Sequence, residues 1–254
     1  MIPMTDLSGK VALVTGSARG IGRAIALRYA ALGANVVVNY AGNKDAAQDT
    51  VQDIRNLKAQ AIAVQADVSD LTALEDLFQQ ALTEFGKIDI VVANAGVEIV
   101  DQAIADVTEE QFDRLFAINT KGAFFTLQKA AKYVEDKGRI IYIGSSTGQL
   151  AMSGVGLYGS SKMAPRYAAQ VLAQEVGNRG ITVNSIIPTA IEGAGVFTHV
   201  PEDSPLREVA KGMRPIDGRF GRAEDVADAA EYFAGPLAHW VSGQNLLISG
   251  GAQQ

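Results

Sequence analysis

Short apolar runs alternate with longer stretches of helical spacing along nearly the whole chain. The runs fall at residues 11–14, 35–39, 61–65, 88–92, 140–143, 181–187 and 245–248. Aliphatic runs this short, apolar on consecutive positions, are what strands buried on both faces require. Helical spacing occupies about 21–32, ending at Gly33, then 44–57, a stretch from near Leu71, one from Thr108 towards Phe116, one carrying Tyr158 and one after Glu224. Such alternation predicts right-handed crossovers and one parallel α/β sheet covered on both sides, within a single domain spanning 1–254. Two places resist the pattern. Pro165 removes an amide donor from the Tyr158 helix, so either that helix begins late or it bends just after Lys162. Residues 189–215 lose periodicity and gather Gly193, Gly195, Pro201, Pro205 and Gly212, which reads as a mobile binding element, a lid over the substrate.

Composition narrows the function classes. Of 254 residues 48% are hydrophobic, ample for a core, yet no run approaches the roughly 18 apolar residues of a membrane span. No signal-peptide pattern opens the chain, so a cytoplasmic protein is expected. A net charge of -6 without a basic cluster argues against nucleic-acid binding. The absence of cysteine excludes disulfides, thiolate metal sites and a cysteine nucleophile. His199 and His239 lie too far apart in sequence to suggest a metal site, and none is expected.

Candidate chemistry concentrates between Arg139 and Lys162. The strand at 140–143 delivers Ser145 at its carboxyl end, Tyr158 follows thirteen residues later, and Lys162 stands one helical turn beyond. An unperturbed phenol titrates near pH ~10, and an adjacent ammonium stabilises its phenolate, bringing proton exchange towards neutrality. Ser145 adds a hydrogen bond to the carbonyl or alcohol oxygen with which Tyr158 exchanges a proton. Tyrosine–lysine spacing alone carries little, because Tyr40 with Lys44 and Tyr133 with Lys137 share it; the corresponding earlier positions there are Leu27 and Thr120, not serine.

A second constellation surrounds the first strand. Thr15-Gly-Ser-Ala-Arg-Gly-Ile-Gly22 forms a strand–glycine turn–helix, in which Gly16, Gly20 and Gly22 permit a tight turn and bring a dinucleotide phosphate to the helix amides. At the end of the second strand, where an acidic residue would accept from a ribose hydroxyl and select NAD, stand Asn39 and Tyr40. Without that carboxylate, and with Arg19 in the turn as cation, NADP is expected; alternatively Arg19 is only solvated. Asp67 either accepts from the adenine amino group or caps the helix near Leu71. Asn94, Ala95 and Gly96 end the central strand with residues small enough for a cofactor to lie across it.

These motifs, in this order and spacing, resemble the short-chain dehydrogenase/reductase family over almost the whole chain. The resemblance implies a Rossmann fold with a doubly wound sheet of about seven strands, usually a homotetramer, and reversible hydride transfer between a nicotinamide and a carbonyl carbon. It implies Tyr158 as general acid and base, Lys162 holding the nicotinamide ribose and lowering the phenol's pKa, Ser145 orienting the carbonyl, and Asn119 holding a water that links Lys162 to solvent. Cofactor contacts are implied at Gly16, Ser17, Arg19, Gly20, Ile21, Gly22, Asn39, Tyr40, Asp67, Val68, Asn94, Ala95, Gly96, Tyr158, Lys162, Pro188 and, through its backbone, Ile191. Three departures stand out: Thr189 where the family commonly has glycine, Gly193 where it has threonine, and Ser249 before the final Gly-Gly. Some relatives bind magnesium at the chain terminus, here Gln254.

The expected activity is NADPH-dependent reduction of a ketone or aldehyde to an alcohol. Alternatives are a 3-oxoacyl thioester reductase, a polyol or sugar dehydrogenase and, from another class, a non-catalytic NADP-binding sensor or scaffold. Val196, Phe197, Val200, Leu206 and Met213, with Leu150 and Met152, make an apolar substrate site and favour a small-molecule ketone without a large charged carrier. Glu98, just after the cofactor turn, lines the substrate site or, the preferred reading, is a solvated loop carboxylate.

Overall fold

The computed structural model describes residues 5–198 and 200–252. The strands are β1 (Val11–Val14), β2 (Asn35–Tyr40), β3 (Ala61–Gln65), β4 (Ile90–Ala93), β5 (Arg139–Ile143), β6 (Thr182–Pro188) and β7 (Asn245–Ile248). All are parallel, in the order β3-β2-β1-β4-β5-β6-β7. Connections run outwards in both directions from the β1–β4 pair, so a crevice opens beyond the carboxyl ends of those two strands. The expected doubly wound sheet is therefore present.

The helices are α1 (Gly20–Ala31), α2 (Lys44–Asn56), α3 (Leu71–Phe85), α4 (Glu109–Phe116), α5 (Ala123–Tyr133), α6 (Gly156–Glu175), α7 (Pro205–Met213) and α8 (Ala223–Ala234). Alternation along β1 shows how the two faces are filled. Leu13 joins a cluster with Leu74, Phe78 and Leu127 of α3 and α5, while Ala12 and Val14 meet Ile25 and Tyr29 of α1 and Val226 and Phe233 of α8. Every β1 residue is at most 2% exposed, which explains why the run is apolar on consecutive positions.

Three expectations are corrected. The central strand starts at Ile90 rather than Ile88, where Asp89 turns its carboxylate to the Val11 amide (2.9 Å) and to Lys10 and Lys87. Helix α6 does not start late: it runs from Gly156 to Glu175 through the proline. The carbonyl left without its amide donor is that of Ser161, and the Thr120 hydroxyl donates to it instead (2.9 Å). The segment 189–215 is not irregular throughout, since it contains α7, whose N-cap Ser204 accepts from Leu206 N–H and whose first residue is Pro205. That serine–proline pair is a helix-start signal the glycines and prolines around it obscured.

Candidate active site

Strand β5 ends at Ile143, and Ser145 follows with extended backbone, N-capping a short 3-10 turn at Ser146–Gly148. Its hydroxyl accepts from Thr147 N–H and lies 2.9 Å from the Thr147 hydroxyl. Tyr158 and Lys162 are successive-turn residues of α6, 7% and 6% exposed. Lys162 Nζ donates to the Ile143 carbonyl at the end of β5 (3.4 Å) and lies 5.9 Å from the centre of the Tyr158 ring. Ser145 also reaches the Tyr158 hydroxyl, where its hydrogen bond favours the phenolate. Strand end and helix thus bring the three side chains together. The other two tyrosine–lysine pairs fall apart: Tyr40 ends β2 while Lys44 starts α2, and Tyr133 ends α5, its hydroxyl bonded to Glu75.

Asn119 is fully buried in a π-helical segment, Ala117–Gly122, that follows α4. Its Oδ1 accepts from Val97 N–H (2.9 Å), while Nδ2 donates to the Val97 carbonyl (2.8 Å) and to Ser161 Oγ (3.1 Å). The amide therefore clamps the loop after β4 to α6, and Thr120 beside it satisfies the carbonyl freed by Pro165. A Cβ on Gly96 would stand 2.8 Å from Lys162 Nζ, so this loop must be bare where it passes the amine.

Burial sets the electrostatics of the tyrosine–lysine pair. Burial pushes the Tyr158 phenol well above its ordinary range, and the Glu98 carboxylate adds to the rise; the Ser145 hydrogen bond only partly opposes them. Lys162 is itself lowered to about 8 by burial, with Glu98 opposing. The net direction for the phenol is upward, and its burial is the largest cause. Of the two readings of Glu98, the solvated loop carboxylate is set aside, since the fold brings it to Tyr158.

Around the glycine turn most side chains are spent internally. Asn39, 1% exposed, accepts from Gly16 N–H (3.0 Å) and donates to the carbonyls of Val64 and Ala66. It ties turn to strand and does not face a ribose as expected. The Ser17 hydroxyl donates to the Val14 carbonyl (2.7 Å) and accepts from Asn39 N–H. Tyr40 is buried at the end of β2, and Val68 is buried against Gly122. Asn94 donates to the carbonyls of Thr15 and Gly16, and Ala95 lies where a Cβ on Gly16 would come within 2.9 Å of its Cα. Asp67 holds Ser69, leaving Asp70 to cap α3 and the adenine alternative open for Asp67.

What remains for a ligand is backbone and one cation. Helices α2, α3, α4 and α7 are N-capped by the side chains of Asn43, Asp70, Thr108 and Ser204, whereas α1, like α5 and α6, has no side-chain cap. Its first amides accordingly point into the crevice with the positive end of the helix dipole. Gly20 has φ +56°, and a Cβ there would meet nothing nearer than Ala194 at 4.0 Å. Exposed Arg19 at its edge makes no ion pair among the described residues. Farther along, Ile191 forms a parallel bridge with Gly221 through the neighbouring Ala190 carbonyl and Glu192 amide, which leaves its own amide directed away from the bridge. Pro188 closes β6 beside it. An anionic dinucleotide fits this donor set.

Of the apolar lid residues, Leu206 and Met213 lie exposed on α7, as does Met152 opposite, while Phe197 packs on Phe220 with ring centres 5.2 Å apart. The Val196 side chain, His199 and Gln254 fall outside the described residues. His239 is exposed, with Nδ1 3.1 Å from the Pro236 carbonyl.

A family model described as enoyl-(acyl carrier protein) reductase matches residues 16–253. The hydroxynaphthalene reductase-like protein Arp2 of Metarhizium brunneum is 39% identical over 97% of this chain and 96% of its own. Elsinochrome reductase 1 of Elsinoe fawcettii is 42% identical over 97% and 95%. The structure of a short chain dehydrogenase from Burkholderia cenocepacia in complex with NADP superposes with a TM-score of 0.89 at 35% identity, covering 96% of this chain and 98% of that one. The chain belongs to the short-chain dehydrogenase/reductase family. It is an oxidoreductase acting on small molecules.

Proposed function

We propose that the protein is an NADPH-dependent carbonyl reductase that converts a ketone or aldehyde to an alcohol, reversibly. The observation that carries this reading is the convergence of Ser145, Tyr158 and Lys162 at the end of β5, beside the uncapped start of α1. When bound, the reduced nicotinamide nucleotide supplies the hydride that becomes the new C–H bond. Ser145 holds the carbonyl oxygen, and Tyr158 gives its proton to that oxygen as charge develops there. The raised phenol suits this direction, since it stays protonated at neutral pH. Lys162 stabilises the phenolate left behind, and the Asn119 clamp keeps the loop clear of the amine. The water relay through Asn119 belongs to the same proposal and would use what its committed side chain leaves over. The α1 amides, with Arg19, receive the cofactor phosphates, and the Ile191 amide the carboxamide.

The whole chain acts as one domain with 189–215 as its lid. An aromatic or polycyclic ketone suits that lid, and the names of the Metarhizium and Elsinoe relatives favour it over an acyl thioester. A homotetramer in the cytoplasm is part of the proposal. Exposed Phe112, Phe124, Met163 and Tyr167 on α4, α5 and α6, with Trp240 before β7, supply apolar faces for subunit packing, and a chain without cysteine suits a reducing compartment. The test is NADPH oxidation against a panel of aryl ketones. Binding of NADPH with no reduction of any member would favour the non-catalytic sensor.

A further inference from the structure

The turn that follows Ser145 is tied to that serine twice, and to the helix behind it as well. Thr147 N–H donates to Ser145 Oγ (3.3 Å), and the two hydroxyls lie 2.9 Å apart. Thr147 stands in the middle of the 3-10 turn Ser146–Gly148, which Ser145 caps. The same turn is seated on α6. A Cβ on Gly159, directly after Tyr158, would come within 2.5 Å of the Thr147 carbonyl oxygen, and one on Gly148 within 3.2 Å of Met163 Cγ, directly after Lys162. Thr147 therefore has a fixed place between the serine and the helix that carries the tyrosine and the lysine.

A serine hydroxyl has one proton and two lone pairs. If that proton is turned to a neighbour, the serine meets a carbonyl oxygen with lone pairs against lone pairs and holds nothing. At Ser145 the Thr147 amide occupies one lone pair, because an amide N–H only donates. The Thr147 hydroxyl settles the other. Ser145 is its one hydrogen-bond partner among the described residues, and a proton given there leaves the serine's own proton free. With both lone pairs filled, Ser145 is a donor alone. Its bond to the Tyr158 hydroxyl has the matching sense, since it favours the phenolate.

We infer that Thr147 is a positioning residue of the reductase: its amide and hydroxyl fill both lone pairs of Ser145 Oγ and so aim the serine's proton at the carbonyl oxygen of the substrate. It acts through Ser145 alone. The carbonyl oxygen gathers charge as the hydride arrives, so a correctly aimed donor gains strength in the transition state, and its loss is read in kcat rather than in KM. Removing one neutral hydrogen bond behind the donor costs about three- to tenfold.

The inference rests on the reductase reading, and one set of variants separates the two. Reduction of acetophenone and of α-tetralone by NADPH is followed for the parent, Thr147→Val, Thr147→Ser, Ser145→Ala and the double variant Ser145→Ala/Thr147→Val, at enzyme concentrations high enough to follow the slow ones. Valine keeps the shape of threonine and the amide of the turn, so Thr147→Val should lower kcat about three- to tenfold with KM and NADPH affinity unchanged. Thr147→Ser, which keeps the hydroxyl, should stay within about twofold of the parent. Without Ser145 there is nothing to aim: in the Ser145→Ala background Thr147→Val should change kcat by less than about twofold. An equal loss with and without Ser145, or a Thr147→Ser variant as slow as Thr147→Val, overturns the positioning role and leaves the reductase standing. A parent that binds NADPH and reduces neither ketone overturns the reductase reading, and the positioning role with it.

Discussion

The glycine turn and the proposed lid, residues 189–215, are built on opposite plans. In the turn the side chains point inward: Asn39, Ser17 and Asn94 spend their polar atoms on neighbouring backbone, and amides are what the crevice sees. On α7 the apolar side chains of Leu206, Val209 and Met213 are instead all about half exposed. The turn can thus hold the invariant part of a cofactor with atoms that every sequence possesses, while the lid meets the variable part of a substrate with side chains. Cofactor class is consequently written in glycines and spacing, and substrate identity is not.

The sharpest way to break this division is at the group both halves serve. Tyr158→Phe should lower kcat about 10²–10⁴-fold with little change in NADPH affinity measured by fluorescence titration. A comparable loss of cofactor binding would mean that the phenol belongs to the turn's machinery. Proton supply sets the pH behaviour. With the folded phenol raised, reduction should hold steady through neutral pH, and alcohol oxidation should climb as the solution becomes alkaline, because only the phenolate can act as base.

Arg19 is the one side chain of the turn offered to the crevice, so it tests the claim that backbone carries the rest. Arg19→Ala should weaken NADPH by about ten- to a hundredfold and leave NADH nearly unchanged, read by titrating both nucleotides. Equal weakening of the two would assign Arg19 to the shared phosphates instead of the one that separates NADP from NAD.

Lys162 gives an effect of opposite sign on activity and stability. Its folded pKa, about 8, lies below the value of 10.5 for a free side chain. The unfolded chain therefore binds more protons between those values, so this group makes folding more favourable as pH rises through that window. Below it the buried ammonium costs stability. Lys162→Met should abolish turnover yet raise the melting temperature at neutral pH, by up to about 3 kcal/mol of stability. Unchanged or lowered stability would show that the amine is better solvated than its burial suggests.

How much of this was legible beforehand follows the same division. All seven strands were placed within two residues of their observed positions, because strands buried on both faces leave continuous apolar runs. Ser145, Tyr158 and Lys162 were legible because strand end and helical turn convert spacing directly into proximity. The inward turn of Asn39 was not, since a residue's side of a strand end depends on hydrogen bonds it donates to the carbonyls of Val64 and Ala66, remote in sequence. The passage of α6 through Pro165 was hidden for a similar reason: the compensating Thr120 hydroxyl comes from another helix. That pair is open to a direct check. Thr120→Val should cost about 1–3 kcal/mol by stranding the Ser161 carbonyl, and Pro165→Ala should recover much of it by returning the amide; independent, additive effects would refute the coupling.

The smallest effect expected lies in the lid, and it bears most closely on the contrast with the turn. Helix α7 is only nine residues long, is capped by Ser204 at 3.3 Å, and presents an exposed apolar face. A helix this short depends on its cap. Ser204→Ala removes about 1 kcal/mol from α7 alone, whereas the α1 amides were never capped and so have nothing comparable to lose. The outcome should be local: α7 amides exchange faster with solvent deuterium, KM for ketones rises a few-fold, and NADPH affinity and global melting stay put. Were NADPH affinity to fall in step with KM, the lid would be part of the cofactor's cradle, reaching it through Ala194 above Gly20, and the two sides of the crevice would have to be described as one device.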